Sequence, residues 1–432
     1  MQITKLFQSP FAKNVAMVSA STAFAQLMNA LFSPVITRIY SPEEYGILTL
    51  YTSILGLIAI MSSLKYEWGM PIAENDEKAV NIMALSFMVL LIFATTIYIA
   101  FYFFGRPILA LLNATKLLNY RCLIPIGVLL AGSYTIFLQW AYRNKDFGSI
   151  SKTKLAQSIT GNVTTVILGW LGAGPVGLIL GQILRQGAGI GTLSRPFFKD
   201  SKHLLKKLDK TQILWCAKRY KNFPIFTAPS QLLNTAGVQL PVIFISSLYG
   251  SQVLGLYGLA NAVVNLPMVL IGQSIGDVFY AEAARVGKLN PKRVKDLSGK
   301  LFKKLLLIGL VPLMILLFFG PFLFSFVFGH RWYDAGEYAK ILAFLVFARF
   351  IFTPISRVFS VFERQKKEFM LDLFRVILVF VAFGISDYFN LSSYLAVGLY
   401  SAAMSIVYLV TYLLAQNILY EEIKQKEIVG TA

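Results

Sequence analysis

Hydropathy and polar punctuation divide the chain into apolar blocks over 15–37, 46–64, 80–104, 121–141, 155–172, 176–194, 223–247, 255–279, 301–320, 338–359, 370–386 and 393–416. Each block approaches the ~20 residues that a helix needs to cross the hydrocarbon core. The pattern predicts an all-α integral membrane protein with about twelve transmembrane helices. The first block is too long and too interrupted by polar residues for a cleavable signal, and no small-residue cleavage site follows it, so it reads as a retained span.

Composition agrees. Of 432 residues, 56% are hydrophobic and 14% charged, and the mean hydropathy is +0.64. A soluble chain carries roughly 25% charged residues, so lipid is the solvent this surface suits. The net charge of +19 would suggest nucleic acid in a soluble protein. Here the basic residues lie between apolar blocks, so their meaning is topological and no nucleic-acid partner is expected. Cys122, Cys216, His203 and His330 are too scattered for a disulfide, a metal site or Ser-His chemistry. No cofactor is expected.

The connections alternate in charge. Arg38, Arg106, Lys116, Arg121, Arg331 and Lys340 fall on one side, and Arg349 and Arg375 within spans. The remaining Lys and Arg fall on the other side, with Arg185 counted in the long 195–222 loop. The positive-inside rule puts that richer side, with both termini, in the cytoplasm, which requires an even number of spans. The opposite loops are short, and the largest, about 321–337, is too small for a folded domain.

Three short matches point to an internal duplication. Pro34-Val35-Ile36 leads to Tyr40 and Gly46, as Pro241-Val242-Ile243 leads to Tyr249 and Gly255, with both Tyr-Gly pairs at an offset of 209. Phe103-Phe104-Gly105 is echoed by Phe318-Phe319-Gly320, and the stretch Arg143 to Phe147 by Arg364 to Phe369. They keep order and predict an N-terminal six-helix lobe (1–194), a basic linker (195–222) and a C-terminal six-helix lobe (223–432). A shift of six spans makes the lobes parallel, which in transporters places a substrate path between them.

Polar residues inside the blocks mark where such a path would run. Ser19, Thr22, Gln26, Asn29, Ser33 and Thr37 draw one stripe down the first helix. The stripe fits either interhelical hydrogen bonding or a water-filled cavity. Asn234 continues the theme in the seventh span, with Asn261 and Asn265 in the eighth. Arg349 lies near the middle of span ten, with Thr353 and Arg357 following at helical spacing, and Arg375 lies in span eleven. An arginine at mid-bilayer costs about 2.5–3.5 kcal/mol on insertion scales, so neither arginine is expected to face lipid. Asp372, three residues before Arg375, offers that arginine a structural ion pair instead. Guanidinium forks grip phosphate and diphosphate bidentately, so an anionic lipid headgroup is a natural ligand. Gly172-Ala173-Gly174-Pro175-Val176-Gly177 matches a dinucleotide fingerprint in form, but no strand precedes it and it falls at a turn between spans. There is no phosphate-binding GxxxxGK[ST] loop, so the chain is not itself an ATPase.

The run Leu64-Lys65-Tyr66-Glu67, then Glu74 to Ala79 and Leu85-Ser86, resembles the segment between spans two and three of the O-antigen (Wzx-type) flippases. So do Arg219 to Pro224, Ala228 to Asn234, Gln239 to Pro241, Gly255 to Ala260, Leu270 to Gly276, Phe328-Gly329 with Trp332, and Glu363 to Gln365. The resemblance covers nearly the whole chain. It implies the polysaccharide-transport branch of the multidrug/oligosaccharidyl-lipid/polysaccharide exporters, in which two six-helix lobes form a V around a central cationic cavity. It implies a bacterial inner-membrane flippase, not an enzyme, that carries undecaprenyl-diphosphate-linked oligosaccharide to the periplasmic leaflet by alternating access. Expected partners are that substrate, membrane lipid, and a polysaccharide polymerase with its chain-length machinery. Candidate substrate-binding residues are Arg38, Lys65, Glu67, Arg349, Arg357, Arg375, Gln26, Asn29 and Asn234. Arg38 and the Lys65-Tyr66-Glu67 turn stand at span ends where charges snorkel harmlessly, so the resemblance carries their weight. Competing readings are an ion-coupled small-molecule or drug antiporter of the same fold, which would need interior acids, a polymerase or ligase, which would need a large outer loop, and a non-transporting scaffold.

Overall fold

The computed structural model describes residues 10–111, 114–287 and 290–430. Lys5 and Lys288, which belong to the charge count above, lie outside the described residues. Among the described residues there is no strand. Helical structure covers the predicted blocks, although 223–247 and 255–279 run together in one kinked helix and its continuation. The helices begin with α1 (Pro10–Ile39), α2 (Pro42–Ala59), α3 (Asp76–Leu111), α4 (Leu123–Arg143), α5 (Phe147–Trp170) and α6 (Pro175–Pro196). There follow α7 (Lys210–Arg219), α8 (Ala228–Val264), α9 (Gln273–Val286), α10 (Pro291–Phe328), α11 (Tyr333–Phe352), α12 (Gln365–Tyr388) and α13 (Ser393–Gly430).

Among the described residues six helices are long and apolar enough to cross a membrane by length and composition, and seven if the bent pair, His330–Phe352 with Ile355–Val361, is one span. The helices over the blocks 15–37, 46–64, 155–172 and 176–194 are not among them, and the block 255–279 has no separate span; α1, α5 and α6 are diluted by the polar residues that pack inside the protein. The chain is a multi-pass, all-α membrane protein. Large side chains such as Leu31, Ile92, Phe318, Phe322 and Phe326 stand exposed along its helices, as a lipid-facing surface requires.

The observed helices outrun the apolar blocks because hydropathy senses only the membrane-embedded part. α10 begins ten residues before its block, where Asn290 accepts a hydrogen bond from the Arg293 amide and Pro291 opens the first turn. Lys152 and Lys154, expected in a 142–154 loop, ride on the first turns of α5, and the connection shrinks to a turn around left-handed Lys145. The expected 321–337 loop likewise contracts to Gly329 and the short His330–Trp332 helix, with Trp332 fully buried. Between α1 and α2, the Ser41 hydroxyl accepts the Glu44 amide while the Glu44 carboxylate accepts the Ser41 amide, a reciprocal cap that lets two helices follow almost without a loop. The glycine-rich 172–177 stretch is the tight turn between α5 and α6, with Gly172 and Gly174 at positive φ.

The chain divides into two compact units, Met1–Gly255 and Leu256–Ala432. In the first, Ile82, Leu90, Ile136, Trp140 and Phe197 form the core, with the Trp140 and Phe197 rings edge to face at 5.1 Å. In the second, Phe279, Val294, Ile355, Phe359 and Ile418 do so. The division falls at the first turns of the second half of α8, which breaks at Gly250 (φ 81°).

The duplicated glycines meet in space. A Cβ on Gly46 would overlap the Ser251 carbonyl oxygen, and one on Gly255 would overlap the Pro42 carbonyl oxygen. Each glycine thus faces the carbonyl one turn before the other, and the two halves of this contact are related by the offset seen in the sequence. Small residues at a membrane helix crossing let backbones approach closely. The third match is not echoed in backbone register, since left-handed Lys145 lies two residues after Arg143 and left-handed Glu363 one residue before Arg364. The second match diverges, since α3 kinks at Phe104 while α10 continues through Phe318-Phe319-Gly320.

Substituting Gly46→Val or Gly255→Val is expected to cost about 1–3 kcal/mol through overpacking and to lower the melting temperature in detergent. Gly384→Ala, with nothing near its Cβ position, is expected to be neutral.

Candidate functional site

Each unit carries its own arginine-centred polar cluster. In the first, the Asn29 side-chain oxygen on α1 accepts from the Ser158 hydroxyl (2.9 Å), the Asn162 amide (2.8 Å) and Arg185 Nη2 (3.5 Å). Ser158 and Asn162 sit one turn apart on α5, and Arg185 midway along α6. Gly161 makes the room, since a Cβ there would strike the Arg185 guanidinium. The Arg185 Nε is buried without a hydrogen-bond partner. This corrects the assignment of Arg185 to the 195–222 loop. It is an interior residue of α6, masked in sequence by the low hydropathy of the Gly- and Gln-rich run around it. The signal that could have found it is the presence of polar residues in the first, fifth and sixth blocks together.

In the second unit, Arg349 Nη1 donates to the Asn265 side-chain oxygen (3.3 Å), and the Asn265 amide donates to the Asn261 side chain (2.8 Å). Tyr257 and Tyr400 share a hydrogen bond, and Tyr400 lies within electrostatic reach of both Arg349 and Arg375. Arg375 is differently placed. Its Nη1 donates to Asp372 at 2.8 Å, and its guanidinium lies 5.5 Å from the Tyr408 ring centre. The ion pair foreseen from sequence spacing is therefore present.

Charge compensation separates these arginines. Among the described residues no carboxylate pairs with Arg185 or Arg349, which have only side-chain amides as hydrogen-bond partners. A guanidinium in hydrocarbon keeps its charge and is expensive there, so these two are the groups with most to gain from an anionic ligand. Amide and hydroxyl neighbours add donors and acceptors suited to sugar hydroxyls.

The other candidates fall elsewhere. Arg38 ends α1 and is exposed. Gln26 is half-buried on α1, and Asn234 is exposed on α8. Thr22 and Thr37 of the α1 stripe bond to carbonyls of their own helix, whereas Asn29 bonds across to α5. Arg357 is displaced from the Arg349 face by a 41° bend at the Thr353-Pro354 break, and its Nη2 lies 3.5 Å from Asp277. Lys65 and Glu67 form a buried turn between α2 and α3, 8% and 1% exposed. Leu64 and Lys65 are left-handed there, Ser63 donates to the Glu67 carboxylate at 2.6 Å, and the Lys65 ammonium lies 5.6 Å from the Trp68 ring centre. Burial pushes the Glu67 carboxyl above its usual range and the Lys65 ammonium below its own.

Two outcomes follow. Gly161→Val is expected to dislodge Arg185 and to cost about 1–3 kcal/mol through overpacking, read as a lower melting temperature in detergent. A raised carboxyl pKa contributes stability that is present at low pH and lost as pH rises through the folded-state value. Glu67→Gln, which removes the charge and keeps an acceptor for Ser63, should therefore melt higher than the parent at alkaline pH and lose that advantage on acidification.

Known proteins place these features. Residues 35–337 match the sequence profile of the family described as polysaccharide biosynthesis protein. The teichuronic acid biosynthesis protein TuaB of Bacillus subtilis (strain 168) is 25% identical over 155 residues, a match covering 36% of this chain and 32% of that protein's length. Among solved structures, an inward-facing multidrug resistance MATE transporter of the MOP superfamily superposes with a TM-score of 0.75 at 16% identity, covering 95% of this chain and 99% of the other. The lipid II flippase MurJ, in an inward closed conformation, gives 0.73 at 16% identity over 95% and 87%. The chain belongs to the polysaccharide biosynthesis protein family and has the fold of the MOP-superfamily transporters.

Proposed function

We propose that this protein is a flippase that moves undecaprenyl-diphosphate-linked oligosaccharide from the cytoplasmic to the periplasmic leaflet of a bacterial inner membrane, with both termini cytoplasmic. The observation that carries the reading is the placement of Arg185 and Arg349 in the interior of their helices, α6 and α11, without a carboxylate partner among the described residues. A diphosphate supplies two adjacent anionic groups that match guanidinium forks, while the asparagines and serine beside the arginines suit the sugars. Family membership and the lipid II flippase among its fold relatives support the same chemistry. Of the remaining candidates, Arg38, Arg357, Arg375, Gln26 and Asn234 are proposed as supporting contacts, the buried Lys65 and Glu67 as a turn that positions α2 and α3, and the six-plus-six division at the 195–222 linker as the unit of movement. Alternating access would pass the headgroup across the bilayer while the prenyl tail stays in lipid. A polymerase with its chain-length machinery would then consume the flipped unit.

The alternative of an ion-coupled drug antiporter draws on the MATE relatives. It needs an interior acid that can take up an ion, and Asp372 is engaged by Arg375. In a deletion strain, Arg349→Ala is expected to abolish glycan export with normal protein abundance, and lipid-linked glycan should accumulate. Unchanged export would contradict its role, and drug sensitivity without glycan accumulation would favour the antiporter.

A further inference from the structure

The segment joining α6 to α8 is built into the first unit, carries many lysines and helps to line a groove. Phe197–Ser201 continues α6 as a π-helical turn, Lys202–Lys207 forms a short 3₁₀ helix, and α7 follows. Asn81 on α3 anchors it twice, donating to the Lys207 carbonyl (3.2 Å) and accepting from the Asp209 amide (3.0 Å). Lys207 pairs with Glu77 at 3.0 Å, and the Tyr66 hydroxyl donates to the Ala217 carbonyl. Beneath the segment lies a groove of about 520 Å³ whose wall includes Met83 and Phe87 of α3, Phe137 of α4, Ile190 of α6, and Leu205 and Leu208 of the segment itself.

The wall is almost wholly apolar, and its rim is basic. Between Phe197 and Asn222 stand Lys199, Lys202, Lys206, Lys207, Lys210, Lys218, Arg219 and Lys221, against Asp200 and Asp209. A 3₁₀ helix repeats every three residues, so Lys202 shares a face with groove-lining Leu205, and Lys206 is exposed beside it. Phe198, Leu214 and Trp215 are exposed on the same segment. Apolar side chains below and ammonium groups above are the two layers of a bilayer interface, and a basic segment beside a membrane helix gains about 1 kcal/mol per Lys or Arg from an anionic leaflet.

We infer that this groove binds one anionic glycerophospholipid, an acyl chain lying against Phe87, Phe137 and Ile190 and the phosphate headgroup meeting Lys202 and Lys206. The apolar wall on membrane-spanning helices selects a lipid tail, and the charge of the rim selects an anionic head over a zwitterionic one. This site is separate from the arginine clusters and does not depend on what the protein transports.

Native mass spectrometry of the purified full-length chain, titrated with phosphatidylglycerol, phosphatidylcholine or undecaprenyl diphosphate, tests it. The parent should retain one phosphatidylglycerol more tightly than phosphatidylcholine. The double variant Lys202→Gln/Lys206→Gln should weaken that binding about thirtyfold, at roughly fivefold per lysine, and leave phosphatidylcholine unaffected. Ala84→Trp, which fills the groove, should lower retention of both with the rim charge intact. Equal retention of the two phospholipids by the parent, or undiminished phosphatidylglycerol binding by the lysine variant, would overturn the site. Displacement of phosphatidylglycerol by an equal or lower concentration of undecaprenyl diphosphate would overturn the assigned occupant and give the groove to that lipid instead.

Discussion

A polar group inside hydrocarbon must find its partner within the protein, because the surrounding lipid offers none. Much of this structure answers to that rule. It explains why the described chain is mostly helical, and why Ser41 and Glu44 cap each other at a connection with almost no loop. It explains why Thr22 and Thr37 bond back to their own helix and why Asn29 gathers three donors from α5 and α6. Arg375 meets the rule with Asp372. Arg185 and Arg349 meet it only with neutral amides, which satisfies hydrogen bonds without neutralising charge. That residue of unanswered charge is what a transported anion would exploit.

The same rule shapes the crossing of α2 with α8. Without a hydrophobic driving force between helices in lipid, close packing has to supply the association. Gly46 and Gly255 provide it reciprocally, each admitting the other helix's carbonyl. A duplication that looked like a faint repeat of Pro, Tyr and Gly thus survives where backbone contact leaves no space for drift. The repeated Phe-Phe-Gly strings, whose phenylalanines are exposed in both halves, sit in helices of different course, kinked at Phe104 and continuous through Phe318-Phe319-Gly320. The arginine clusters are not copies of one another, since one is built on α1, α5 and α6 and the other on α8 and α11.

Much of the fold was legible in the sequence because lipid imposes a simple code of apolar blocks and basic connections. The Asp372–Arg375 pair was legible too, since both residues lie on one helix within a turn. Arg185 was not, because its partner Asn29 is distant in sequence and its own helix is interrupted by glycines and glutamines. Arg357 followed Arg349 at helical spacing, but the break at Thr353-Pro354 turns it toward Asp277. Lys65 and Glu67 looked like accessible charges at a span end. Left-handed turns at Leu64 and Lys65 bury them instead.

Uncompensated interior arginines are proposed to carry an anionic lipid headgroup across the bilayer. Translocation of a polyprenyl-diphosphate-linked glycan in proteoliposomes holding the purified protein, followed by accessibility of the sugar to an external lectin, measures that carriage. Transfer is expected from the parent, lost in Arg185→Ala and in Arg349→Ala, and only reduced in Arg38→Ala. Transfer that persists in both interior variants would contradict it.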